Sequence, residues 1–179
     1  VKVTAETAAH YFTLTDEALR SYSTDLKVAP PLRSARDREA VLQGLRDGTI
    51  DVIASDHAPH SSMEKDVEFA YAAPGMIGLE TSLALSLALV EQGILTLGQL
   101  VRLMSVNPAR ILGVPGGTLR KDSVADVTVI DPQRSWTVDV SAFKSKSRNC
   151  PFQGRTLTGK AIFTIVGGAI KYRDDQSFK

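Results

Sequence analysis

Three residues that could ligate a metal or transfer a proton lie together in the stretch IDVIASDHAPH, residues 50–60. Asp56 and His57 come directly after an apolar run of strand length, and His60 follows on the same loop. A carboxylate can bind a divalent cation or accept a proton, and an imidazole can donate, accept or ligate according to its tautomer. These residue types allow metal-assisted or acid-base chemistry, but loop residues with no chemical role also fit the spacing.

An alternation of strands and helices is predicted to position this cluster. Val1–Ala5 and Ile50–Ser55 have strand composition, and the second is almost wholly apolar, which is typical of a parallel strand covered on both faces. Ser34 can cap a helix over Ala35–Arg46. Chemistry in parallel sheets and barrels lies past the carboxyl ends of strands, so Asp56 occupies a position suited to catalysis.

Further helices are predicted on both sides of the cluster. Thr15 can cap a short helix, and leucines at helical spacing predict two more over residues 78–93 and 96–105. Asn107 is expected to cap another, Ala109–Leu112, with a proline at its first position. The leucine-rich face of the first long helix is expected to be core, and to lack its cover if much of a barrel is absent.

The last third of the chain changes to strand-like patterns. The segments ADVTVID and KAIFTIVGGAIKY alternate or run apolar at strand length, and Gly167-Gly168 in the second is a two-residue hairpin signal. The fold class is therefore α/β, with an α/β portion over residues 1–116 and a small β-rich portion over residues 117–179.

The composition is that of a globular protein without a strongly charged surface. Of 179 residues, 43% are hydrophobic, and 21 basic against 20 acidic residues leave a formal charge of +1. With the basic residues scattered, no nucleic acid or membrane partner is expected. No apolar run approaches the roughly eighteen residues of a spanning helix, and the single Cys150 is typical of a reducing compartment. We therefore expect a cytoplasmic protein.

Several longer motifs occur in order along the chain. They are VAPPLRS, LRDGTID, IASDHAPHSSMEK, APGMIGLET, MSVNPARILG, GTLRKDSVADVTVID and SKSRNCPFQG. This series resembles the C-terminal part of a class I dihydroorotase, a member of the amidohydrolase superfamily. The resemblance implies the last two strands and helices of an amidohydrolase-type (β/α)8 barrel, which is incomplete, followed by the C-terminal part of a small β domain.

For function, the resemblance implies zinc-dependent, reversible hydrolysis of the cyclic amide of dihydroorotate to N-carbamoyl-aspartate in pyrimidine biosynthesis. In the family, the aspartate matching Asp56 ligates zinc and serves as general base and then acid. The residue matching His60 contacts the substrate carboxylate, and the dipeptide matching Pro74 and Gly75 supplies backbone contacts to the ring. Ala29 stands where the family usually has a substrate-binding asparagine, so weaker binding is expected.

The resemblance also implies partners. The family's other zinc ligands, which hold one or two ions, belong to strands before these residues, so the chain is expected to need the missing N-terminal half of the barrel and to be inactive alone. A homo-oligomer is expected, and aspartate transcarbamoylase is a candidate partner. Two alternatives stay open: a noncatalytic dihydroorotase-like paralogue that scaffolds this transcarbamoylase, and another cyclic amidase of hydantoinase or allantoinase type. His10 is expected to pack or hydrogen-bond, and His57 to have a structural role.

Overall fold

The computed structural model describes residues 1–174, which form two small sheets joined by helices. One sheet is the parallel pair β1-β2, and the other is an antiparallel sheet in the order β3-β4-β5. The elements are β1 (Glu6–Ala8), α1 (Ala9–Thr13), α2 (Ala35–Asp47), β2 (Val52–Ala54), α3 (Ser62–Lys65), α4 (Ser82–Glu91), α5 (Leu97–Val101), α6 (Asn107–Leu112), β3 (Val127–Thr137), β4 (Thr156–Val166) and β5 (Ala169–Arg173). Short 3₁₀ helices cover Asp16–Ser21, Thr24–Leu26 and Val140–Ala142.

The first strand lies later in the chain than predicted. A strand over Val1–Ala5 is wrong, because pairing with β2 begins only where the Asp51 carboxylate accepts a hydrogen bond from the Ala5 N–H, at 3.0 Å. From there Glu6 pairs with Val52 and Ala8 with Ala54. The position of β1 is therefore determined by its pairing with β2, which the composition of residues 1–8 alone does not reveal.

Helix α2 forms as the sequence predicts. The Ser34 hydroxyl accepts a hydrogen bond from the Asp37 N–H, and the Asp37 carboxylate accepts from the Ser34 N–H, so that two of the unpaired donors at the helix start are satisfied. Gly48 ends the helix in the left-handed region, at φ 82°. The predicted cap at Thr15 is wrong, because that side chain makes no capping bond and the segment after it is a 3₁₀ helix.

Asn107 does not begin a separate helix. The backbone stays helical from α5 through a π-helical turn at Arg102–Val106 and into α6, so the predicted cap at Asn107 is wrong. The widened turn accommodates the missing N–H of Pro108 without ending the helix. The Asn107 amide instead donates to the Asp51 carbonyl oxygen, at 2.8 Å, and so ties this helical run to the start of β2.

The leucine-rich helix α4 packs against the antiparallel sheet. Leu85, Leu87 and Leu89 are buried, as expected of core residues, and the expectation that this face lacks its cover is wrong because β4 lies on it. At Gly159 of β4 the two elements come so close that an added Cβ would stand 2.3 Å from Leu87 Cδ1. The absent side chain is what permits this approach.

One hydrophobic core includes residues from both predicted portions of the chain. Val138, Phe152 and Leu157 belong to the same buried cluster as the leucines of α4. The hairpin predicted at Gly167-Gly168 is confirmed and joins β4 to β5. A boundary near residue 116 stays a prediction. Within residues 1–174, no helix has the length and apolar content that crossing a bilayer requires.

Replacing the capping serine tests the account of α2. We expect Ser34→Ala to lower the free energy of unfolding by about 1 kcal/mol, because it removes the acceptor for the Asp37 N–H. Ser23→Ala is the matched control, since Ser23 occupies the equivalent position before a 3₁₀ helix and makes no capping bond. Urea denaturation followed by the fluorescence of the single tryptophan, Trp136, measures both. Equal losses in the two variants would contradict this account.

Candidate functional site

Asp56 lies two residues beyond the end of β2, with its side chain 48% exposed. Its backbone is in the left-handed region, at φ 45°, which aspartate tolerates better than most residues and which is common at functional turns. The residue lines an open cavity of about 390 Å³ together with Tyr11 and Ala29. The predicted position of Asp56 just beyond a strand is confirmed, and the structure adds that its carboxylate faces a cavity.

His10 is the neighbour of Asp56 that the sequence pattern did not identify. Its ring is buried, with 3% of the side chain exposed, and its Nε2 lies 3.4 Å from Asp56 Oδ2. Because Ala8 and Ala54 are register partners, His10 and Asp56 stand at equal distances beyond their two strands and come together. The equal offset is a sequence signal, but using it requires the correct position of β1.

Burial controls the charge of His10. Loss of solvent lowers the pKa of its imidazole more than the nearby Asp56 carboxylate raises it, so the ring is neutral near pH 7. Among residues 1–174, the Nε2 atom has no hydrogen-bond partner, and the Asp56 carboxylate lies 3.4 Å from it. A neutral imidazole with its proton on Nε2 would donate toward that carboxylate and limit its rotation.

Tyr11 is another residue that lines this cavity. Its hydroxyl donates to the Pro30 carbonyl oxygen, at 2.8 Å, and fixes the segment that carries Ala29. Burial, with a smaller contribution from Asp56, raises the pKa of Tyr11 to about 12, so the phenol stays protonated. Ala29 itself is exposed and adds only a methyl group to the cavity.

The other predicted site residues form a second cluster. His60 Nε2 donates to the Pro74 carbonyl oxygen, at 3.1 Å, and its Nδ1 lies 3.6 Å from a Glu64 carboxylate oxygen. Gly75 has φ 146°, and a Cβ added there would lie 2.7 Å from Ala58 Cβ and 2.8 Å from His60 Nε2. The structure thus brings His60, Pro74 and Gly75 together through direct contact.

His57 has a structural position. Its Nδ1 accepts hydrogen bonds from the backbone N–H groups of Gly78, at 3.1 Å, and Leu79, at 3.4 Å. Accepting through Nδ1 places the proton of a neutral ring on Nε2. The backbone at His57 also pairs with Met76, so the loop is held against the segment that leads to α4.

Lys65 is a second residue that the sequence pattern did not identify. This buried lysine donates from Nζ to the carbonyl oxygens of Ala73 and Gly75, both at 2.9 Å. Burial lowers the pKa of its ammonium group, and Asp25 opposes that shift. Only the folded loop brings the lysine to these carbonyls, because they lie 8 and 10 positions away in sequence.

The predicted residues do not share one cavity. Asp56 and Ala29 line the first, whereas His60 lines a second, larger cavity of about 620 Å³ with Lys65 and Arg148. Residues 1–174 contain no group of three or more histidine, cysteine or acidic side chains placed to hold a metal ion. A catalytic zinc site uses three or so protein ligands, and no such set lies within these residues.

Comparison with known proteins assigns the family. The sequence model of the amidohydrolase family matches residues 1–171. The chain belongs to the amidohydrolase family. Among curated relatives, the dihydroorotase of Syntrophus aciditrophicus is 59% identical over 175 residues, and that of Geobacter sp. strain M21 is 60% identical over 173. These alignments cover 98% and 97% of this chain but 41% of each relative, so the chain spans about two fifths of their length.

Solved amidohydrolase-family structures share the fold. The L-hydantoinase (dihydropyrimidinase) from Arthrobacter aurescens superimposes with a TM-score of 0.90 at 34% identity, covering 96% of this chain and 39% of the hydantoinase. The dihydropyrimidinase from Brevibacillus agri gives 0.88 at 25% identity, with the same two coverages. The described elements therefore form part of an amidohydrolase fold.

Substituting Gly75 tests the close contact at the second cluster. We expect Gly75→Ala to destabilise the fold by about 1–3 kcal/mol more than Gly93→Ala, because the new methyl group overlaps Ala58, which cannot move without its backbone. Gly93 also has a positive φ, 69°, but nothing within 4 Å of an added Cβ, so its variant gives the cost of an alanine at positive φ without a steric overlap. The φ of 146° at Gly75 is less accessible to alanine and adds to the expected difference. Urea midpoints measured by Trp136 fluorescence compare the two. A loss for Gly75→Ala no larger than the control would argue against the contact.

Proposed function

We propose that this chain supplies part of the catalytic centre of a zinc-dependent dihydroorotase. The whole enzyme would hydrolyse the cyclic amide of dihydroorotate reversibly to N-carbamoyl-aspartate. The observation that carries the proposal is Asp56, a carboxylate exposed at a strand end beside the buried His10. Identities near 60% to proteins named dihydroorotase, over almost the whole chain, support this assignment.

In this proposal, β1 and β2 are the last two strands of the family's (β/α)8 barrel. Their parallel pairing, with α2 between them, is the connection such a barrel uses. Residues 1–116 would then belong to the barrel and residues 117–179 to a smaller β-rich domain. The remaining strands and metal ligands would come from the three fifths of the relatives' length that has no counterpart in this sequence.

The proposed chemistry at Asp56 is proton transfer beside the metal. Bound zinc would lower the pKa of a water molecule and polarise the amide carbonyl. The Asp56 carboxylate would ligate the ion, accept the proton released during attack and return it to the departing amide nitrogen. Neutral His10, in contact with the same carboxylate, would keep it oriented. The donor chemistry fits zinc, although Asp56 is one ligand of several.

Substrate contacts would come from the second cluster. His60 would interact with the substrate carboxylate, and backbone groups at Pro74 and Gly75 would contact the ring, which the missing Cβ of Gly75 permits. Ala29 would sit beside the reacting group with no polar atom to offer. We propose a cytoplasmic homo-oligomer as the working form of the complete enzyme.

A hydantoinase activity is the second candidate. It is favoured by the superposition on the L-hydantoinase, which has a TM-score of 0.90. This chain is 34% identical to that hydantoinase but 59–60% identical to the named dihydroorotases. We therefore prefer dihydroorotate as the substrate. A noncatalytic scaffold for aspartate transcarbamoylase would be consistent with Ala29, but it gives no reason for the retained Asp56.

A chimera tests the proposed activity. The preceding three fifths of the Syntrophus aciditrophicus dihydroorotase would be joined to this chain, and hydrolysis of dihydroorotate and of hydantoin would be assayed with zinc. We expect turnover of dihydroorotate, and a loss of at least about a hundredfold in kcat for Asp56→Asn, which removes the proton acceptor. Asp122→Asn is the control, because Asp122 is also exposed with a positive φ, 66°. Greater activity on hydantoin would favour the second candidate.

The same chimera tests Ala29. We expect Ala29→Asn to lower KM for dihydroorotate about fivefold, which corresponds to about 1 kcal/mol for one added hydrogen bond. The change in kcat should be small if the bond is equally strong in the ground and transition states. Ala142→Asn, at an exposed alanine outside both cavities, is the control. An unchanged or higher KM for Ala29→Asn would indicate that this position does not face the substrate.

A further inference from the structure

Asn149 connects two loop segments that lie far from it in sequence. The side chain is buried, with 4% exposed. Its Nδ2 donates to the carbonyl oxygens of Ala58, at 3.0 Å, and Gly75, at 3.1 Å, and its Oδ1 accepts from the His60 N–H, at 3.3 Å. Both Nδ2 protons and one Oδ1 lone pair are therefore used on backbone groups of the two segments that carry the proposed substrate contacts.

The segment around Asn149 is anchored independently of those loops. Cys150 and Phe152 next to it are buried in the core. The Asn149 carbonyl oxygen also accepts from the Ile77 N–H, at 3.0 Å, directly after the loop that contains Gly75. The backbone of Asn149 is thus held by its packed neighbours, while its side chain reaches across to the loops.

Both backbone polar groups of Gly75 are hydrogen-bonded. Its N–H donates to the Lys27 carbonyl oxygen, at 2.7 Å, and its carbonyl oxygen accepts from both Lys65 Nζ and Asn149 Nδ2. Lys65, the last residue of α3, belongs to the same connection between β2 and α4 as Gly75. Asn149 links the Gly75 carbonyl to the Ala58–His60 segment. It therefore sets the spacing between His60 and Gly75.

We propose that Asn149 is a positioning residue that sets the distance between His60 and Gly75 for substrate binding, an inference that rests on the proposed function. Without the amide, two carbonyl oxygens lose a donor and the His60 N–H loses its acceptor. The pairing of His57 and Ala58 with Met76 keeps the two segments adjacent. Without the Asn149 bonds, however, the His60 backbone and the Gly75 carbonyl can shift relative to each other, and the substrate carboxylate and ring no longer meet their partners in one geometry. The β-rich portion would thus affect substrate affinity through the hydrogen bonds of Asn149, which also lines the cavity of His60.

Two substitutions in the chimera separate positioning from stability. Asn149→Ala removes all three hydrogen bonds, whereas Asn149→Asp keeps an acceptor for His60 but removes both donors. We expect each to raise KM for dihydroorotate about tenfold, with kcat changed less than about threefold. Asn107→Ala is the matched control, because Asn107 also donates from its amide to a backbone carbonyl, but at the opposite end of β2. That variant should lose stability with KM unchanged.

Hydrogen exchange gives a measurement that does not depend on turnover. Amides in residues 57–61 and 73–77 should exchange faster in both Asn149 variants than in Asn107→Ala, compared under conditions in which Trp136 fluorescence shows each protein folded. Exchange in α4 should stay the same in all three variants. Mass spectrometry of peptides from the two loops would record the difference.

The two measurements together decide the proposal. A raised KM with faster loop exchange in both Asn149 variants supports it. The proposal is overturned if the Asn149 variants show the same loop exchange as Asn107→Ala, or the same KM in an active chimera. If the unsubstituted chimera does not hydrolyse dihydroorotate, the proposed function fails, and loop exchange alone then supports or overturns the positioning role.

Discussion

The parallel register between β1 and β2 is the constraint on which the candidate chemistry depends. Ala8 stands opposite Ala54, so the two chains leave the sheet side by side and bring His10 to Asp56. A slip of one residue would turn alternate side chains to the other face and place Tyr11 or Ala9 beside the acid instead. The bonds between Ala5 and Asp51 at the other end of the pair help to prevent that slip.

A second constraint is that the C-terminal sheet and the helical part share one core. Helix α4 packs closely against β4 at Gly159, where no side chain intervenes. This packing places the segment between β3 and β4 against the loops that follow β2. That placement brings Asn149 against Ala58 and Gly75. The β-rich portion, which carries none of the predicted site residues, is thereby part of the framework that holds them.

Features specified by neighbouring residues were predictable from sequence, and features that need distant partners were not. The cap at Ser34, the hairpin at Gly167-Gly168 and the position of Asp56 after an apolar strand depend on a few adjacent residues. The position of β1 and the role of Asn107 depend on Asp51, 46 and 56 positions away. The contacts of His10 and Asn149 likewise join residues that only the folded chain brings together. The equal offset of His10 and Asp56 becomes informative only once β1 is placed correctly.

The cover of α4 by β4 also orders events during synthesis. The 64 residues 92–155 lie between the end of α4 and the start of β4. A ribosome adding about 5–20 residues per second needs roughly 3–13 seconds to make that stretch. For this time the nascent chain carries a leucine-rich helix whose permanent cover does not yet exist. Until β4 emerges and docks, the apolar side chains that it covers are exposed to aggregation or to chaperones in general.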